Sequence, residues 1–174
     1  FEAALKDGFY GIRQKALQHV DPTRPGVMAT IAQIAEKDPK PGVKATALQI
    51  LGESGDLQYV PLLQKSLGAD QAYSVVSAAL SGLVKLDPVA AMSASKILQN
   101  DESEAIVPVL TELYGANPDR VNLPFFEQKI DKVDYMGAFT FFENYRKFLE
   151  GIGDASLLDT GIERFKKIAL DANA

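Results

Sequence analysis

Apolar residues in this chain recur at helical spacing, and the pattern itself recurs. Four aspartates, Asp7, Asp38, Asp70 and Asp101, stand 31, 32 and 31 positions apart. Five residues after each comes a β-branched apolar residue: Ile12, Val43, Val75 and Ile106. Nine and ten residues after each come Ala16-Leu17, Ala47-Leu48, Ala79-Leu80 and Leu110-Thr111. Thirteen residues after come Val20, Leu51, Leu83 and Tyr114. Steps of three and four between these positions mark one buried stripe on a helix. A pattern repeated at a fixed period of about thirty residues points to a repeat architecture.

Each copy holds a second helical stretch. The first copy predicts one over Pro25–Glu36, with Val27, Ile31 and Ile34 as its apolar seam. The second predicts Leu57–Leu67, with Val60, Leu63 and Leu67 as the seam and Asp56 as its N-cap. The third predicts Pro88–Gln99, with Met92, Ser95 and Leu98, and the fourth Leu123–Val133. Pro25, Pro41 and Pro88 sit where helix starts tolerate proline. No stretch alternates with the period of two that a strand requires. The expected fold is all-α: an α-solenoid of about four helix pairs followed by two C-terminal helices. The repeat region spans 1–133, divided as 7–37, 38–69, 70–100 and 101–133. Ala16, Ala47 and Ala79 are small enough to let successive first helices approach closely.

From 134 to 174 the composition shifts and an aromatic-rich helical cap is expected. Tyr135, Phe139, Phe141, Phe142, Tyr145 and Phe148 crowd into one helix ending near Gly151. Phe139, Phe142 and Leu149 share one face; Phe141, Tyr145, Phe148 and Ile152 share another. A helix apolar over more than one side is not a plain surface helix. It is either packed between the fourth copy and a last helix over Ser156–Leu170, or Phe139, Phe141, Phe142, Tyr145 and Phe148 form a patch that docks on another domain. The last helix takes Asp154 or Ser156 as its cap and Ile162, Phe165 and Ala169 as its seam.

Six residues after two of the recurring aspartates comes a basic residue, giving Asp7 with Arg13 and Asp38 with Lys44; Val76 and Val107 hold that place in the other copies. The string Asp7-Gly8-Phe9-Tyr10-Gly11-Ile12-Arg13-Gln14-Lys15-Ala16-Leu17, and the set Ala47-Leu48, Leu51-Gly52, Gly55-Asp56, Val60-Pro61-Leu62-Leu63 and Leu67, resemble HEAT-like repeats. That resemblance implies that Asp7, Arg13, Asp38 and Lys44 link neighbouring repeats by charge and hydrogen bonds. The opening string also resembles the start of the C-terminal region in bacterial members of the aminopeptidase N family of zinc peptidases. This narrower resemblance implies a supporting wall packed on an upstream catalytic domain and limiting which peptides reach it. It transfers no catalytic or zinc residue, because neither His-Glu-x-x-His nor Gly-x-Met-Glu-Asn occurs here. The alternative is a stand-alone scaffold that binds a partner protein. The chain opens on Phe1-Glu2-Ala3-Ala4-Leu5, a helical start without Met, and reads as a piece of a longer protein.

Composition narrows the chemistry. The 174 residues include no cysteine and one histidine, which excludes thiol nucleophiles and paired imidazoles. A net charge of −5 disfavours nucleic acid as a partner. The longest uncharged run, Gln71–Val84, is too short to span a membrane, so a soluble chain is expected, its compartment left open. His19 near the end of the first helix reads as a helix-end residue. Asp101-Glu102-Ser103-Glu104 lacks the alternating ligands of a calcium loop and reads as charge at a helix start. Arg146-Lys147 and Arg164, Lys166 and Lys167 read as a solvated face. No catalytic residue, cofactor or metal site is expected in this segment.

Overall fold

The computed structural model describes residues 1–68, 71–133 and 135–171, the last of these without the side chains of 135, 136 and 169–171. The fold is all-α. Among the described residues there are ten α-helices and no strand. They are α1 (Tyr10–Leu17), α2 (Val27–Lys37), α3 (Pro41–Glu53), α4 (Val60–Lys65), α5 (Tyr73–Leu86), α6 (Pro88–Ser95), α7 (Val107–Ala116), α8 (Leu123–Lys129), α9 (Tyr135–Ile152) and α10 (Ala155–Asp171). Odd-numbered helices up to α7 are the first helices of the four copies; even-numbered ones up to α8 are the second. This succession of helix pairs is that of an α-solenoid. The chain divides into two compact units, Phe1–Leu98 with three copies and Gln99–Ala174 with the fourth copy, α9 and α10.

In the first unit α3 is the central helix, packed against α1, α2 and α5. Val43, Ala47, Leu48 and Leu51 lose all contact with solvent, as do Ala79, Leu80 and Leu83 on α5. Burial of each such Val or Leu contributes about 1.5–3 kcal/mol. Ile31 on α2 and Leu63 on α4 complete the seam. Ile12 is the exception among the stripe residues expected to be buried: it is 43% exposed. Of the first helices of the other copies, α1 has only α3 beside it, so its opening turn is not enclosed as that of α3 is.

Several second helices are shorter than the pattern predicts. Asp56 accepts from the Gln58 amide (3.0 Å) and starts a 3-10 turn, Leu57–Tyr59, before α4. Asp119 does the same for Arg120–Asn122 before α8, through the Val121 amide (3.1 Å). The chain likewise opens on a 3-10 turn, Ala3–Lys6. In α6 the Asp87 carboxylate caps Ala90 (3.0 Å), and the helix ends where the Ser95 hydroxyl donates to the Met92 carbonyl (2.9 Å). Its buried residues are Ala91 and Ser95, with Met92 and Leu98 only half-buried, so the seam lies to one side of the expected one.

Gly52 lies inside α3 rather than in the following turn, and the reason is contact. A Cβ on Gly52 would stand 2.3 Å from the Cα of Gly82 in α5. The two backbones touch, and only glycine permits it. The turn proper takes Gly55, at a left-handed φ of 73°.

In the second unit α9 packs between α7 and α10. Its aromatic residues gather on Phe126 of α8. Tyr145 stacks on that ring at 4.8 Å, and Phe148 and Phe141 lie 4.7 and 5.7 Å away. Asp154 caps α10 through the amides of Ser156 (3.0 Å) and Leu157 (3.3 Å). The buried side of α10 centres on Gly161, where a Cβ would meet Leu149 Cδ1 at 2.4 Å. Ile162, expected in the seam, is 39% exposed; Ala169 lies outside the described side chains.

Gly52→Ala is expected to force α3 from α5 and lower stability by about 1–3 kcal/mol. Gly82→Ala, whose Cβ would face the movable tip of Leu63 at 3.0 Å, should cost less. Urea unfolding of both variants checks the order, and equal or raised midpoints would contradict the contact.

Candidate functional site

The recurring aspartate is a helix starter with a further use. Asp7 Oδ1 accepts from the Phe9 amide (2.8 Å), Asp38 Oδ1 from the Lys40 amide (2.9 Å) and Asp101 Oδ1 from the Ser103 amide (2.7 Å). Each closes an Asx turn just before a first helix, a role suited to a short acidic side chain. Asp70 lies outside the described residues.

Arg13 converts one of these turns into a bridge between copies. Its Nε donates to Asp38 Oδ2 at 2.6 Å and its Nη2 to Asp38 Oδ1 at 2.8 Å. Its Nη1 donates back to the carbonyls of Asp7 (2.9 Å) and Gly8 (3.1 Å). One guanidinium therefore ties the loop entering α1 to the loop entering α3. The bidentate geometry suits a planar fork and a carboxylate. Burial pushes the Asp38 carboxyl up, but the hydrogen bonds from Arg13 and the Lys40 amide outweigh it and leave its pKa below the ordinary value. The bond to Asp38 in turn holds the Arg13 pKa above its ordinary value.

The four residues singled out from the sequence as links thus have different surroundings. Arg13 and Asp38 come together. The Asp7 carboxylate accepts only within its own turn and adds long-range attraction to Arg13, while it is the Asp7 carbonyl that bonds to Arg13. Lys44 is half-buried and only adds long-range attraction to Asp38 and Glu36. Val76 is buried and Val107 half-buried at the corresponding places. In the fourth copy Lys129, from α8, donates to the Asp101 carbonyl at 2.7 Å and is itself buried.

Sequence reasoning missed Lys129, and it missed the ion pairs between equivalent elements. Glu36 and Lys65 join α2 to α4 at 2.8 Å, and Glu53 and Lys85 join α3 to α5 at 2.7 Å. Glu102 pairs with Lys132, and Asp131 with Arg164 at 2.9 Å. Partners 29 to 33 residues apart are neighbours because one repeat separates them. Opposite charges at the repeat period were the available signal. Solvent screens these exposed pairs, so each contributes little.

The aromatic candidates divide. Phe141, Tyr145 and Phe148 are buried inside the second unit, and Phe142 is half-buried against Phe165 at 4.8 Å. They are therefore not an open docking patch, because the ring of Phe126 and the helices around it already cover them. Phe139, 83% exposed, stands apart. His19 is exposed beside the ring of Phe1 at 5.4 Å.

Two clefts are lined by charged side chains. One, of about 410 Å³, lies beside α7 and the start of α9, with Val107, Pro108 and Phe141 as apolar lining and the Glu102–Lys132 pair at its edge. The other, of about 510 Å³, lies beside Arg13 and Asp38. Among the described residues no three His, Asp or Glu side chains are grouped to hold a metal ion. No described helix is long and apolar enough to cross a membrane.

A family model described as HEAT repeats matches residues 28–122, more than half of the chain. The chain belongs to the HEAT-repeat family. No curated protein matches the chain. In HEAT-repeat terms the match runs from α2 into the turn before α8 and takes in the second and third copies whole. Arg13 lies ahead of it, although its bond to Asp38 reaches into it.

Asp38→Ala leaves the buried Arg13 guanidinium without its carboxylate and should lower stability by about 3 kcal/mol near pH 7. Because the folded pKa of Asp38 is depressed, its contribution is full above the ordinary carboxylate pKa of about 4 and fades as pH falls further. The gap between wild type and variant in urea unfolding should therefore narrow as pH is lowered below that ordinary value. A gap independent of pH would contradict the ion pair.

Proposed function

We propose that this HEAT-repeat chain performs no chemistry of its own and serves as a helical surface on which another polypeptide docks. The reading rests on one observation above all. The family match covers helix pairs packed on buried apolar seams, while the exposed side of α2 carries polar residues such as Gln33 and Lys37. Side chains held in fixed relative places by buried seams form a recognition surface without a catalytic constellation.

A finer reading makes the docked polypeptide a catalytic domain of the same chain, in a zinc aminopeptidase-like protein whose peptide access this segment shapes. It rests on the string from Asp7 to Arg13. Asp7, Gly8 and Arg13 in that string already serve the helix start and the bridge to Asp38, which any HEAT array of this geometry could use. The stand-alone scaffold therefore has the stronger support.

Lysine cross-linking and mass spectrometry of the native protein, isolated from the cells that make it, separates the readings. Cross-links from Lys37 or Lys65 to a second polypeptide are the expected result. Cross-links to a domain of the same chain that carries His-Glu-x-x-His would favour the aminopeptidase reading. Peptide hydrolysis by residues 1–174 alone, with or without zinc, would overturn both.

A further inference from the structure

The cleft of about 510 Å³ in the first unit lies among the 3-10 turn Ala3–Lys6, the C-terminal half of α2 and the loop entering α3. Leu5 and Ile34 supply its apolar lining, and Lys6, Arg13, Gln33 and Lys37 its donors. The one carboxylate lining it, Asp38, is already held by the Nε–Nη2 edge of the Arg13 guanidinium and by the Lys40 amide. Lys6 and Lys37 are exposed and have no ion-pair partner among the described residues. Acids in the adjoining segments are engaged elsewhere: Glu2 with Arg24, Glu36 with Lys65, and Asp7 with the Phe9 amide. Lys6 and Lys37 thus present two exposed ammonium groups in one cleft, neither held in a direct ion pair among the described residues, in a chain whose net charge is −5. Arg13 adds to them. Of the five guanidinium N–H groups, four are used in the bridge, and one on Nη2 remains.

We propose that this cleft receives the carboxylates of an acidic segment of a partner polypeptide. The proposal rests on the docking function argued above and names where and by what chemistry a partner binds. Lys6 and Lys37 come from different elements, so they can meet two carboxylates of one segment. Leu5 and Ile34 offer apolar surface to the methylene stems of glutamate. The carbonyl end of α2 opposes an anion, and Lys37, in its last turn, offsets that field. Charge complementarity of this kind sets where an acidic partner lands and how fast.

The test is an NMR titration of the isotope-labelled chain with hexaglutamate peptide. Saturable shifts confined to the amides of 4–8 and 30–40 are expected. Lys6→Gln with Lys37→Gln should weaken binding about tenfold, since two attractive contacts are lost. Lys147→Gln with Lys166→Gln, in the second unit, should leave it unchanged. Thermal unfolding of both double variants should match wild type, since all four lysines are exposed. No saturable shift, shifts spread over all lysines, or an unaffected Lys6/Lys37 variant would overturn the proposal. So would citrate binding as tightly as the peptide, because the occupant would then be a small polycarboxylate. If native cross-links to a partner persist while hexaglutamate fails, the cleft assignment falls and the docking function stands; loss of both removes both.

Discussion

Short helices in this chain become stable by having a neighbour. An isolated helix of α3's length is marginal in water, yet Val43, Leu48 and Leu51 reach full burial. They reach it because α2 covers one side and α5 another. The closeness of that cover depends on backbone contact between Gly52 and Gly82. Where a helix has fewer neighbours the same stripe is open to solvent, as Ile12 on α1 demonstrates. Local helix propensity, the seam and the repeat period therefore express one constraint: an apolar face must be closed by the next element along.

Polar chemistry refines this stack without creating it. Asp7, Asp38 and Asp101 each hold a local turn ahead of a first helix. Once the repeats pack, the Asp38 carboxylate also stands within reach of Arg13, and one guanidinium then fixes two loops at four points. A buried pair of this kind is weak evidence for net stability, since desolvation offsets much of the attraction. Its geometric demand is strict, and a register slip between copies would break it. The surface pairs at repeat spacing repeat that logic at lower energy. Lys6 and Lys37, which take no part in the bridge, add exposed positive groups to the adjoining cleft.

Most of the fold was legible because its signals are periodic. Offsets of nine and ten from each aspartate fall inside every first helix, while Val20 at thirteen lies beyond the end of α1 and Ile106 at five just before α7; the seams Val27–Ile31–Ile34 and Val60–Leu63–Leu67 marked two second helices. Helix lengths were harder, because proline and aspartate at 56, 61 and 119 favour 3-10 starts that leave the apolar spacing unchanged. Gly52 and Gly55 are the same letter, yet one permits backbone contact and the other a turn, and the sequence does not tell the two roles apart. The bridge was half legible. Spacing set Arg13 with Asp7 and Asp38 with Lys44, and the family resemblance implied links between neighbouring repeats; packing shows that the link runs from Arg13 to Asp38. On α9 the two apolar faces did announce a helix packed on more than one side. Which ring would remain outside, Phe139, follows from the placement of Phe126 and α10, and no short-range pattern carries it.

The claim that stacking holds these helices is tested most directly by cutting the stack. Residues 38–68 made alone should give the circular dichroism of a largely unfolded peptide with no cooperative melt, as expected for short helices without neighbours. Residues 1–98, the first unit entire, should be helical and melt cooperatively. A single excised hairpin that folds and melts cooperatively on its own would contradict the account.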